Sequence, residues 1–119
     1  MNLFKNRNID CEKLIALIDL ALTEADNFVV RYYDNDAEPM QNTIKTLSLL
    51  RIEVENRPEN INKRVLRAMC DISTLSVKCY EGTPLEKAIS KIFKVLYDAI
   101  PIFKHLEPLR MDFGKQDPI

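Results

Sequence analysis

The chain has 119 residues, a formal net charge of −1 at pH 7 and 46% hydrophobic residues, which suffices for one domain around one core and not for two ordinary domains. A domain of this length buries about 60 to 70% of the surface its unfolded chain exposes, so it needs no metal or disulfide to hold together. The near-neutral charge excludes a module held on nucleic acid by a general basic excess, and two glycines with no tryptophan leave little material for hairpins and much for helices.

After an N-terminal extension over 1–9, a first helix is predicted over 10–33. Asp10 is its N-cap, and Leu14, Ile18, Ala21, Ala25, Phe28 and Tyr32 form its apolar row. Steps of four and three mark one buried helical stripe, which Ile15, Leu22 and Val29 widen enough to touch two neighbours. Pro39 sits where a first helical turn tolerates proline, and a second helix follows over 39–56 on Met40, Ile44, Leu47, Leu50 and Val54. Arg57 and Pro58 interrupt that pattern. A third helix is predicted over 58–80 on Ile61, Val65, Ala68, Ile72, Leu75 and Cys79, with Gly82 as its stop.

Thr83, Pro84, Leu85 and Glu86 combine a capping threonine, a proline at the first helical position and a glutamate that can bond back to the cap. The fourth helix, over 84–106, runs on Leu85, Ile89, Ile92, Leu96, Ala99 and Phe103. Pro101 disfavours helical geometry at Ile100 and should kink or end it there. The tail over 107–119 has no helical period; Leu109, Met111 and Phe113 alternate as in an extended segment resting on the bundle. Short connections make neighbouring helices antiparallel, so the expected fold is all-α, an up-down-up-down four-helix bundle with a kinked last helix and an extended C-terminal tail.

Catalytic and metal chemistry find little to work with. A carboxylate-bridged metal pair in such a bundle needs Glu-x-x-His on two helices, whereas His105 is the only histidine and that motif does not occur. Helical ribonucleases that set an arginine ahead of a histidine with four to six residues between them would find Asp98, Ala99 and Ile100 at those places here. Two glycines cannot form a phosphate-cradling loop. Cys70 and Cys79 are separated by a helical rise of about 13 Å, more than a disulfide spans. With Cys11 they are expected as reduced thiols, Cys79 on the core face. The expectation is a chain that is not an enzyme and takes no cofactor and no metal.

Charge is read with the same discount. Glu12, Asp19 and Asp26 on the first helix and Lys87, Lys91 and Lys94 on the fourth are expected to complement each other across adjacent solvated faces, and not to form a nucleic-acid stripe. No apolar run of roughly 18 residues, enough to span a bilayer, occurs. Met1 to Arg7 lead into a charged helix and not into a short apolar segment with a cleavage site, so the expected location is the cytoplasm, without a membrane partner.

One pole stands out. The turns after the first and third helices bring Tyr32, Tyr33, Asp34, Asp36 and Glu38 toward Tyr80, Glu81 and Glu86. Aromatic rings beside carboxylates on a rim suit a contact with a basic partner, because rings bury large area at low entropic cost and charges steer the encounter. Asp112 in the tail is a further candidate contact.

Leu14 to Leu22 (LIALIDLAL), Leu49 to Val54 (LLRIEV) and above all Leu75 to Ile89 (LSVKCYEGTPLEKAI) resemble the small helical immunity proteins that protect bacteria against NAD(P)-hydrolysing effectors of type VI secretion. The resemblance implies an interbacterial-competition role: a chain made beside a cognate protein toxin, which caps the toxin domain as a monomer and blocks its active site. The alternative is a structural or adaptor bundle, homodimeric through the outer faces of the second and third helices, with no toxin partner.

Overall fold

Apolar residues recurring every three or four positions give four α-helices: α1 (Cys11–Tyr32), α2 (Ala37–Asn56), α3 (Lys63–Cys79) and α4 (Pro84–Ala99), with a 3₁₀ turn over Pro101–His105. The computed structural model describes the backbone of residues 9–32 and 37–105 and the side chains of 9–28 and 39–103. α1 packs against α2 and α4, and α3 packs against the other sides of the same two helices. The result is the expected all-α antiparallel bundle, with no strand among the described residues. The expected tail over 107–119 lies outside the described residues.

Each helix end has a local cause. Asp10 Oδ1 accepts from the Lys13 N–H at 3.1 Å, the expected N-cap of α1. α3 starts at Lys63 and not at residue 58, because Asn62 caps it: Asn62 Oδ1 accepts from the Arg64 N–H at 2.7 Å. Residues 57–62 instead form a turn, in which Arg57 N–H bonds Glu53 O at 2.8 Å and Asn60 N–H bonds Arg57 O at 3.0 Å. Glu53 organises that turn, accepting from the Asn62 N–H at 2.8 Å and pairing with Arg57 Nε at 3.3 Å.

At the head of α4, Thr83 Oγ1 accepts from the Glu86 N–H at 3.2 Å. Glu86 Oε1 reaches back to the Gly82 N–H at 2.8 Å, one residue before the cap, because the Thr83 N–H already donates to Tyr80 O at 3.0 Å. Gly82 has φ +78°, a left-handed conformation that side chains rarely adopt. α4 makes its last helical bond from Ile100 N–H to Leu96 O at 2.9 Å. Ile100 is then extended (φ −114°, ψ 105°), as a residue before proline prefers, and the chain ends its helix there and turns. The turn brings Phe103 back against Phe93, ring centroids 5.0 Å apart.

The rows read from α1, α2 and α4 point inward: Leu14, Ile18, Ala21, Ala25, Met40, Leu47, Leu50, Val54, Leu85, Ile89, Ile92 and Leu96 are all buried. α2 also buries Thr43, whose hydroxyl donates back to Pro39 O at 2.9 Å. α3 is rotated from its expected row. Its buried residues are Leu66, Met69, Asp71, Ile72, Leu75 and Ser76, while Val65 and Ala68 are half-buried and Cys79 is exposed. Two adjacent apolar stripes compete on this helix, and the one with the larger side chains, Leu66 and Met69, fills the interior and buries more area. Cys79 therefore leaves the core face to which its spacing had assigned it.

Truncation of Leu96, which is 0% exposed, to alanine should cost about 2 to 5 kcal/mol in urea denaturation. Val77→Ala, at a residue 52% exposed, should change stability by no more than about 0.5 kcal/mol.

Candidate functional site

Of the acidic rim, Tyr33, Asp34 and Asp36 lie outside the described residues, as do the side chains of Tyr32 and Glu38 and, in the tail, the further candidate Asp112. Glu81 is exposed. Glu86 is half-buried, and its carboxylate is engaged by the Gly82 N–H. Tyr80 departs from expectation: it is 2% exposed and packs with Ala25, Met40, Leu85 and Ile89. Its ring meets Phe28 edge-on at 4.9 Å. Tyr80 donates its N–H to Ser76 O at 2.8 Å, which continues the inner face of α3 by one turn and carries the ring under the bundle instead of onto a rim.

A second surface lies wholly among the described residues. Asn42, Lys45, Thr46 and Leu49 of α2 and Arg64, Val65, Ala68, Asp71 and Ile72 of α3 line an open groove of about 360 Å³ on the outside of the bundle. Thr46, Asp71 and Ile72 are buried at its base, and Asp71 is 1% exposed. Leu49 is 42% exposed, and Ile52, one turn further along the same face of α2, is 50% exposed. Lys45 and Arg64, one from each helix, are exposed at its edges and form no ion pair among the described residues.

The groove follows from two local facts. α2 carries more apolar residues than its buried row uses, which leaves Leu49 and Ile52 outside. The rotation of α3 turns Val65 and Ala68 halfway out, beside α2. The spacing had assigned Val65 and Ala68 to the interior and gave Leu49 and Ile52 no named contact, although a signal existed: an apolar residue left over once a helix has filled its inner stripe has to face something else.

The charges of α1 are arranged differently from the expected match with α4. Asp19 Oδ1 and Oδ2 accept from Arg51 Nε and Nη2 at 2.7 and 3.2 Å, so the acid is bound to α2. Arg51 Nη1 also donates to Glu55 at 2.6 Å. α1 lies between α2 and α4, and Asp19 stands on the side of α2, where a planar guanidinium can grip both of its oxygens. Lys94 is satisfied within α4, by Asp98 at 3.2 Å. The hydrogen bond from Arg51 holds the Asp19 carboxyl below its usual value. Burial, and secondarily the neighbouring Asp71, push the Cys70 thiol up to about 11.

Among the described residues no group of three His, Cys, Asp or Glu side chains is placed to hold a metal ion, and no helix is long and apolar enough to cross a membrane. The stretch from Leu75 to Ile89 that carries the resemblance is the end of α3, the turn at Gly82 and the capped start of α4. No known protein family, curated protein or solved structure matches the chain.

Two measurements check this electrostatic picture. Because the folded-state value of Asp19 is depressed, its contribution to stability is present above the unfolded value of about 3.9 and is lost as pH falls through the folded value. Wild type and Asp19→Asn should thus differ by a small constant amount in urea melts above about pH 5, and converge as pH drops below roughly 4. Alkylation with iodoacetamide at pH 8, followed by mass spectrometry, should modify Cys70 at least about tenfold more slowly than Cys79.

Proposed function

We propose that the chain is an immunity protein, which binds a cognate toxin domain in the cytoplasm and blocks its active site sterically, with no catalysis and no cofactor of its own. The observation that carries this reading is the division between inside and outside. Large apolar side chains, Leu14 and Ile18 through Leu47, Leu66, Ile92 and Leu96, fill the interior of the bundle. Exposed apolar Leu49 and Ile52 of α2 stand instead on the outside, on the face shared with α3, near Lys45 and Arg64, which make no ion pair among the described residues. A protein so built acts through its surface. A capping contact of standard size buries about 1,600 Å² in total, roughly half on each partner, an area that one face of a small bundle can supply.

The kind of partner rests on the resemblance of Leu75 to Ile89, with Leu14 to Leu22 and Leu49 to Val54, to immunity proteins against NAD(P)-hydrolysing effectors. A second reading, a homodimeric adaptor, draws on the exposure of Leu49 and Ile52 along α2. The two differ in what the purified protein does alone: a capping inhibitor is a monomer in light scattering, and an adaptor of the second kind is a dimer.

Co-expression tests the proposal. Cells making the toxin from the adjacent reading frame should survive when the chain is expressed with it, and a tagged copy should retain that toxin in a pull-down from the native host. Cell death at equal expression, or turnover of a nucleotide by the isolated chain, would remove the reading.

A further inference from the structure

We infer that the α2–α3 groove is the contact site, and that it takes an acidic amphipathic helix of the partner protein. The inference rests on the reading of this chain as a protein that binds another protein, and it names the surface and the chemistry of what docks there. A furrow between two antiparallel helices is matched in shape by the ridge of a third helix, which also satisfies its own backbone, whereas an extended strand would bring unpaired backbone groups onto apolar walls.

The walls set the ridge. Leu49 on one side and Val65 and Ala68 on the other offer apolar contact over a base formed in part by Ile72. The small side chain of Ala68 leaves room for a leucine-sized knob. The edges set the charge. Lys45 and Arg64 flank the groove from opposite helices and form no ion pair among the described residues, so carboxylates bordering the incoming ridge would meet both. The base sets one polar position. Asp71 lies there 1% exposed, which puts a carboxylate charge beneath the middle of the ridge; a neutral hydroxyl or amide, and not a second acid, suits that position.

Charge complementarity favours this occupant over a second copy of the chain, since a symmetric pairing through the groove would set Lys45 and Arg64 of one copy against the same cations of the other.

The probe is a labelled synthetic helix of about 18 residues, with a leucine ridge, a central serine and glutamate flanks, beside a copy with lysine flanks. Anisotropy with the full chain at low salt should give at least tenfold tighter binding of the glutamate peptide, weakened by salt, with amide shifts centred on Leu49, Arg64 and Ala68. Leu49→Asp should cost tenfold or more. Arg64→Glu, an exposed change near the start of α3 where an acid is tolerated, should erase the preference for glutamate. Val77→Asp, exposed but outside the groove, should change nothing. Equal affinity for both peptides, shifts centred elsewhere, a dimer that Leu49→Asp disperses, or binding seen only after removal of residues 106–119 would each overturn the inference.

The two readings fail separately. If the toxin is neutralised as well by Leu49→Asp and Arg64→Glu as by wild type, the groove is not the site and immunity stands. If the glutamate peptide binds as described and no toxin is neutralised, the groove stands and immunity falls.

Discussion

The rest of the molecule depends on the packing of four apolar stripes into one shared interior. A chain of 119 residues can build a single core, and every helix has to contribute to it, since helices of this length are marginal alone and gain most of their stability from the face they bury. Leu14 and Ile18, Leu47 and Leu50, Leu66 and Met69, and Ile92 and Leu96 belong to the same buried cluster. A second cluster, around Tyr80, Met40 and Ile89, closes one end. Together the two clusters fill the middle of the bundle.

Within that constraint, small hydrogen-bonded devices decide where helices begin and end. Asn62 starts α3 at Lys63, and Glu53 ties the turn before it to α2. The rotation of α3, set by its larger side chains, then places the rest of the helix. Leu66 and Met69 face inward, Val65 and Ala68 turn toward α2, Asp71 comes to rest below the groove, and Cys79 emerges at the surface. At the other end of α3, Gly82 and Thr83 reverse the chain, and Tyr80 is drawn under the bundle as a structural ring. A tyrosine beside acids in the sequence thus serves the core, while ordinary aliphatic residues further back form the more distinctive surface.

Electrostatics follow the same division. The Asp19–Arg51–Glu55 group joins α1 to α2 across solvent-exposed faces, where such contacts orient helices more than they stabilise them. Lys94 is matched locally by Asp98. Lys45 and Arg64 are not matched among the described residues, and they stand beside a groove in which a buried carboxylate, half-buried walls and an exposed leucine meet.

The amino-acid sequence by itself determined the class, the number of helices, the inward rows of α1, α2 and α4, the capped start of α4 and a break at Pro101, which the structure makes an end of the helix and not a kink within 84–106. Each is a local property: period, capping chemistry and the geometry of proline act over a few residues and need no knowledge of the neighbours. Tertiary structure alone decided which of two stripes on α3 is buried, that Asp19 pairs with α2 and not with α4, that Tyr80 is interior, and that leftover apolar residues of α2 and α3 combine into a groove. These depend on the rotation of one helix against another, which is set by how side-chain volumes fill the shared interior, and a residue spacing does not encode that volume until the partners are in place.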